Sequence, residues 1–422
     1  MINSKIFLLF SLLLLILFSC STKKKEYIVV KKELPENLPK KINTKKNIID
    51  KCEIKGIKVA AERSDLYLPI LKNKKIALVV NQTSRIKDKH LVDFLLENNI
   101  NVVKIFAPEH GFRGNVDRGE HFNNKIDKKT GIPIIAMYGK NRKPKAEQLK
   151  NIDIVIFDIQ DVGVRFYTYI SSMHYVMEAC AENKIKIIIF DRPNPLGDYV
   201  DGPVLKPKFK SFIGMHEIPI VHGLTIGELA IMINEEGWLK NGIKCDLEVI
   251  KMQNYNHKKH WSIPIKPSPN LPNDVAIRLY PSLCFFEATN ISIGRGTRFP
   301  FQVIGYPKKK FGNFTFTPKD IPSMQMNPIH ENEICYGINL QKTQADTTFF
   351  TLKYLIDFAS KFKNKENFIS KRNWFNLLAG NNILATQIIS GMTEEEIRET
   401  WQEDLEKYKI MRNKYLLYTD FE

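Results

Sequence analysis

Between Lys74 and Met252 the chain repeats one pattern, a short continuous run of β-branched and aliphatic residues followed by an amphipathic stretch. A strand that is apolar at every position must be covered on both faces. Strands of that kind alternating with helical stretches read as a parallel sheet with crossover helices. The runs at 76–80, 102–106, 132–137, 152–157, 185–190 and 247–252 are the expected strands. Helices are expected at 89–98, 146–150, 167–183 and 225–236, the last starting on a capping box of Thr225 and Glu228.

The residues just past the strand ends are polar in five cases. Asn81 stands after the first strand, Glu109 and His110 after the second, Tyr138 after the third, Asp158 to Asp161 after the fourth, and Asp191-Arg192-Pro193-Asn194 after the fifth. Open α/β sheets bind ligands outside the carboxyl ends of their strands, so these polar groups are expected to converge on one crevice.

The second half is less regular. Residues 261–307 are rich in proline, glycine and aromatic residues and read as long structured loops, including Pro267-Ser268-Pro269-Asn270. Helical spacing returns at 349–361, 374–378, 393–400 and 401–408, giving a smaller α+β region packed on the first.

Ahead of all this, Lys5 precedes an apolar run from Ile6 to Phe18 that ends in Leu17-Phe18-Ser19-Cys20. The run is too short for a comfortable membrane span and reads as a signal peptide with a lipid attachment site at Cys20. Acyl chains there would hold the protein on a membrane, each buried methylene contributing roughly 0.8 kcal/mol. Residues 21–50 are polar, and their lysines outnumber Glu26, Glu33, Glu36 and Asp50, so they read as a disordered basic tether. The formal charge of +17 is therefore partly a property of the tail. Export argues against nucleic acid as partner and favours an anionic envelope surface. The expected organisation is a leader at 1–20, a tether at 21–50, a sheet domain at 51–252 and an auxiliary domain at 253–422 that closes the cleft.

Cys52, Cys180, Cys245, Cys284 and Cys335 are widely spaced, without CxxC or zinc-ligand spacing, and read mainly as buried thiols, with one bridge as the alternative. No GxGxxG follows a strand, and GxxxxGK[ST], HExxH and GxSxG are absent. A nucleotide enzyme or a standard serine hydrolase is disfavoured, and no cofactor or metal is expected.

Three stretches concentrate chemistry. Ala107-Pro108-Glu109-His110-Gly111-Phe112-Arg113-Gly114 sets an acid and an imidazole on a glycine-punctuated turn, where Glu109 suits general acid or base work or else pairs locally. Gly119-Glu120-His121 repeats the acid and imidazole in weaker form. From Phe157 to Tyr169, Asp158, Gln160, Asp161, Arg165, Tyr167 and Tyr169 crowd a strand-to-helix loop, where the acids either hold Arg165 or join it in facing a ligand. Arg192 and Asn194 offer a fork for a carboxylate on a proline-stiffened loop, or a plain surface turn. His222 precedes the 225–236 helix, and Glu287, Asn290, Arg295 and Arg298 form a second polar cluster.

Taken together and in order, Ala107 to Gly114, Phe157 to Tyr169, Asp191 to Pro195, His222 to Thr225, Pro267 to Asn270, and Glu287 to Asn290 with Gly294-Arg295-Gly296 resemble the NamZ-type exo-β-N-acetylmuramidases, from about Gly56 to Tyr418. The resemblance implies an α/β fold, a Rossmann-like parallel-sheet domain with a second, smaller α+β C-terminal domain. It implies release of N-acetylmuramic acid from the non-reducing end of peptidoglycan fragments in the cleft between them. On it, Glu109 is the first choice for general acid, with His110 beside it and Glu120 as the competing carboxylate. Asp158, Asp161 and Tyr167 are candidates to orient a substrate N-acetyl group. Glycosidases ordinarily use two carboxyl groups, about 5–5.5 Å apart for retention or roughly 6.5–9.5 Å for inversion. Arg165, Arg192 or Arg295 would bind the lactyl carboxylate, and Asn81, Asn194, His222, Asn270, Glu287 and Asn290 complete the expected binding set. The sequence departs from the family pattern where Arg298 follows Thr297, an extra cation expected at the rim. The competing readings are a non-catalytic glycan-binding lipoprotein and a metal-dependent hydrolase of another envelope substrate.

Overall fold

The computed structural model describes residues 56–109, 111–113, 125–322 and 324–422, which belong to one unit. The expected leader, the tether and Cys20 lie outside the described residues. After helix α1 (Ser64–Leu71) come β1 (Lys75–Val80), a small antiparallel pair β2 (Arg85–Ile86) and β3 (Lys89–His90), α2 (Leu91–Glu97) and β4 (Asn101–Ala107). Next along the chain are β5 (Lys125–Ile126), β6 (Pro133–Ala136), α3 (Ala146–Leu149), β7 (Ile154–Asp158), α4 (Tyr169–Glu182), β8 (Lys186–Phe190), α5 (Ile226–Glu235) and β9 (Leu247–Ile250).

Among the described residues seven strands form one sheet in the order β5-β6-β4-β1-β7-β8-β9. All pairs are parallel except the β5–β6 edge. Without the β5 edge this is the doubly wound order of dinucleotide-binding folds, with the direction of winding reversing between β1 and β7. The sheet separates two apolar layers by strand alternation. Ile76, Leu78 and Val80 join Tyr67 and Leu71 of α1 and Leu91 and Leu95 of α2 on one face. Ala77 and Val79 face Ile170, Met173 and Met177 of α4 and Leu229 and Ile233 of α5 on the other. The expected capping box is formed: the Glu228 amide donates to Thr225 Oγ1 at 3.2 Å and the Thr225 amide to Glu228 Oε2 at 2.8 Å.

The stretch 261–307 is not all loop. It contains α6 (Asp274–Leu283), a 3-10 turn at Cys284–Ala288 and β10 (Val303–Tyr306). Helix α6 starts on Asn273, whose side chain accepts from the Ala276 amide, and carries Pro281 in its last turn, a residue that reads as a helix breaker. β11 (Phe314–Phe316) and β12 (Cys335–Asn339) complete a small antiparallel sheet in the order β10-β12-β11. Five helices come after it, α7 (Lys353–Ser360), α8 (Arg372–Ala379), α9 (Leu384–Ser390), α10 (Glu394–Glu399) and α11 (Gln402–Asn413). Phe285, Phe350, Phe375, Leu378 and Tyr408 merge with the α4–α5 layer into one core. The chain end returns to the sheet: Tyr408 donates to His222 O at 2.6 Å, and Tyr418 to Asp191 Oδ2 at 2.6 Å. Cys180, Cys245, Cys284 and Cys335 are buried and form no disulfide among the described residues.

Candidate active site

A cleft of about 370 Å³ opens beyond the carboxyl ends of β4 and β6. Pro108 ends the β4 ladder, and a turn closed by the Gly111 amide on Pro108 O at 3.0 Å, with Gly111 at φ +78°, carries Glu109 into the cleft wall. The hydroxyl of Tyr169, at the start of α4, donates to Pro267 O at 3.2 Å and also reaches Glu109 O at 3.5 Å. One phenol thus ties the β4 loop, the α4 start and the Pro267 loop together. Beyond β6, the Asn141 side chain donates to Ala136 O at 2.8 Å and shapes the turn that presents Tyr138 and Arg142. The Arg142 guanidinium lies 4.1 Å over the Phe212 ring and enters no ion pair among the described residues.

Tyr167 and Asn270 form a polar floor. The Tyr167 ring stands edge-on to Tyr169 at 5.0 Å and Tyr280 at 5.9 Å, and its buried hydroxyl has no hydrogen-bond partner. Burial pushes that hydroxyl well above the usual phenol range, so it remains a donor. Asn270 donates to Met324 O at 3.0 Å while its buried Oδ1 is unpartnered. Leaving such an atom unsatisfied costs about 1–3 kcal/mol, which a ligand in the cleft can recover. Glu287, on the 3-10 turn after α6, is held by Arg295 through Nε at 3.1 Å and a closer contact from Nη2. Arg295 in turn covers the Phe301 ring at 5.0 Å. Glu109 and Glu287 are the carboxylates lining the cleft among the described residues, and Trp374 of α8 closes one side.

Of the residues singled out in the sequence, Glu109, Tyr167, Asn270, Glu287 and Arg295 meet here. Others do not. Asp158 and Arg192 satisfy each other in a buried two-point pair, Nε to Oδ1 at 2.5 Å and Nη2 to Oδ2 at 2.9 Å, and Arg192 also donates to Arg85 O. Burial pushes Asp158 upward and the guanidinium opposes that. Arg165 is fully buried and donates to Pro203 O at 2.7 Å, Ile218 O at 2.9 Å and Leu378 O at 2.8 Å. It binds the last turn of α8, the helix of Trp374, and burial pulls its pKa down to about 9. Neither arginine lines the cleft, and each guanidinium is engaged by other parts of the chain.

Asn194 bridges the Leu224 carbonyl and the Leu196 amide, packed against Gly163 where any Cβ would collide at 2.1 Å. Asn81 accepts from the Thr83 amide and hydroxyl and shapes the turn after β1. Asn290 donates to Asn367 O, joining two loops outside the cleft. Asp161 and His222 sit behind the floor. Asp161 Oδ2 accepts from the Gly163 amide at 2.8 Å, its Oδ1 is unpartnered, and burial pushes its pKa up to about 7. His222 Nε2 lies 3.9 Å from Asp161 Oδ2, and burial pulls the imidazole down to about 3. His110 and Glu120 lie outside the described residues. Arg298 lines a separate surface pocket with Phe299 and Phe314 rather than the cleft. Among the described residues no group of three or more His, Cys, Asp or Glu side chains is placed to hold a metal ion.

The cleft-lining residues Arg142, Phe212 and Trp374 are not singled out in the sequence. Arg142 lies four residues past Tyr138, a strand-end position already marked, and tracing that loop further would have found it. Phe212 and Trp374 carry no local signal, because an aromatic residue in a loop or on a helix face reads as packing.

Residues 76–275 match the N-terminal model of the exo-β-N-acetylmuramidase NamZ family and residues 278–418 match its C-terminal model. The chain belongs to the exo-β-N-acetylmuramidase NamZ family. The peptidoglycan β-N-acetylmuramidase NamZ of Bacillus subtilis (strain 168) is 38% identical over 375 residues, 83% of this chain and 89% of that protein. Two crystal structures of DUF1343 family proteins from Bacteroides fragilis NCTC 9343 have the same fold. One has TM-score 0.81 and 48% identity, covering 87% of this chain and all of the other; the second has TM-score 0.76 and 28% identity, covering 86% and 99%. The motif order noted from Ala107 to Gly296 is thus the order of a NamZ-family chain, and its sheet and smaller C-terminal part are those of its relatives.

Proposed function

We propose that the cleft is where this glycosidase of the NamZ family releases N-acetylmuramic acid from the non-reducing end of peptidoglycan fragments, with Glu109 as general acid. The observation that carries this reading is the convergence of Glu109, Glu287, Arg142, Tyr167 and Asn270, from five separate segments, on one cleft of about 370 Å³. Glu109 gives its proton to the glycosidic oxygen as the bond to C1 breaks, and water supplies the hydroxyl that C1 gains and the proton that restores Glu109. A positioned acid of this kind contributes roughly 10²–10⁴ in rate. Glu287, whose charged form is stabilised by Arg295, faces the positive charge that develops on the sugar ring. Asn270 Oδ1 accepts from the acetamido N–H while the Tyr167 hydroxyl donates to its oxygen, which orients the group toward C1. Arg142 forks the lactyl carboxylate, the feature that separates muramic acid from other N-acetylated amino sugars.

The division of the chain at residue 252 into a catalytic sheet domain and an auxiliary domain closing the cleft belongs to the same reading, as does attachment to a membrane of the cell envelope through lipid on Cys20. The test is incubation of the full chain with a chromogenic N-acetylmuraminide. Release of the chromophore, lost in Glu109→Gln, is the expected result. Binding of muramic acid without release would turn the protein into a glycan-binding module. Mass spectrometry of the membrane fraction checks the anchor, which requires acyl mass on a chain beginning at Cys20.

A further inference from the structure

A second cavity, of about 600 Å³, shares Glu287, Arg295 and Trp374 with the cleft that holds Glu109, so the two adjoin along one wall. Away from that wall the second cavity is lined by Thr289, Asn327, Ile329 and Lys371, none of which borders the first. Nothing in the reaction at the terminal sugar uses it. We infer that this cavity receives the aglycone: the N-acetylated amino sugar joined to the departing muramic acid, and the anionic muramic residue beyond it. The inference rests on the assignment of the first cleft to the terminal sugar.

Three features argue for a glycan. The first is continuity. An enzyme that removes end sugars holds one residue and passes the rest of the chain outward, and the buried rings of Phe166, Tyr280 and Phe301 line the first cleft on a side it does not share with the second cavity. The side of the cleft formed by Glu287, Arg295 and Trp374 is the side it shares with the second cavity, so a chain leaving there meets that cavity. The second feature is Trp374, half-buried and common to both spaces, which gives a flat apolar face of the kind that pyranose rings cover while their hydroxyls stay wet. Ile329, 41% exposed beside it, extends that apolar strip, and Asn327 and Thr289 supply polar groups along it. The third is charge. Lys371 is exposed at the rim and enters no ion pair among the described residues, so it can meet the lactyl carboxylate of the next muramic residue.

The side chains of Ile329 and Lys371 reach solvent, and neither lines the first cleft, so Ile329→Asp and Lys371→Glu test the cavity without touching the chemistry. The measurements are kcat/KM on 4-methylumbelliferyl N-acetylmuraminide, which lacks a sugar aglycone, and on a tetrasaccharide of alternating N-acetylmuramic acid and N-acetylglucosamine, with calorimetric binding of the tetrasaccharide alongside. The expected result is a drop of about tenfold or more in kcat/KM and in affinity for the tetrasaccharide, with the short substrate changed less than about twofold, as loss of one contact of roughly 1.4 kcal/mol would give. Equal effects on both substrates, or tetrasaccharide binding unchanged in both variants, would overturn the inference. A wild-type chain that binds the tetrasaccharide but turns over neither substrate would sink the catalytic reading instead, and calorimetry on the variants would still decide the cavity.

Discussion

The β4–β6 end of the crevice and the β7–β8 end contain the same kinds of residue and do opposite things. Past β4 and β6, Glu109, Tyr138 and Arg142 line an open cleft. Past β7 and β8, Asp158 and Arg192 close on each other, and Asp191 takes Thr225 Oγ1, the Gly227 amide and the Tyr418 hydroxyl. One end keeps its polar groups for a ligand, and the other uses them to weld the loops and the chain terminus to the sheet. A polar residue at a strand end can thus line a cavity or weld loops together, and its neighbours in sequence look the same in both cases.

The comparison breaks most sharply on Glu109. Glu109→Gln is expected to lower kcat by about 10²–10⁴ with an unchanged thermal midpoint, because the substitution removes only the proton donor. Near wild-type turnover would remove the open end from the chemistry. At the closed end the effect moves to stability. Arg192→Leu leaves Asp158 buried and unpaired, a loss of about 3–5 kcal/mol by denaturant titration, with activity per folded molecule retained. A folded Arg192→Leu protein that had lost only its affinity for muramic acid would reverse the assignment.

Asp161 adds a pH signature to the closed end. Its pKa rises from 3.8 to about 7 on folding, so between those values the folded chain holds the proton more tightly than the unfolded one. Its contribution to stability therefore falls as pH rises through that window. His222, pulled down to about 3 by burial, works in the other direction, its contribution being lost as pH falls below its unfolded value near 6.5. The readable quantity is the difference between variant and wild type. Asp161→Asn is expected to gain stability relative to wild type on going from pH 4 to pH 8, by up to about 4 kcal/mol at roughly 1.4 kcal/mol per pKa unit. A flat difference would mean that Asp161 is ionised at no cost in the fold. The smallest effect belongs to Arg142. Arg142→Ala is expected to raise KM for muraminides about tenfold or somewhat more, as loss of one charge-assisted contact of roughly 1.5–3 kcal/mol implies, and to leave the corresponding N-acetylglucosaminide unaffected. Equal losses on both sugars would show that Arg142 does not read the lactyl group.

Much of the framework is legible in the sequence for a local reason. The runs at 76–80, 154–158 and 186–190 are apolar at nearly every position because both faces of each strand are covered, and Thr225 and Glu228 cap α5 through atoms three residues apart. Helix α6 is hidden because Pro281 stands in its last turn and the surrounding stretch is rich in proline and glycine. Glu109, which lines the cleft, is marked in the sequence by its turn, whereas Arg165, which beside two aspartates reads as a ligand fork, lies outside the cleft lining. Its true partners, the carbonyls of Pro203, Ile218 and Leu378, lie as far as 213 residues away.

By itself the sequence determined the layered α/β framework, the positions of most of its strands along the chain and the family, since these depend on periodicity and on motifs a few residues long. Only the tertiary structure decided which charged groups line the cleft and which are taken up by distant parts of the chain. Arg142, Trp374 and Asn270, which line the cleft, and Arg165, Arg192 and Asn194, which bind other parts of the chain, are sorted by contacts that no local stretch of sequence contains.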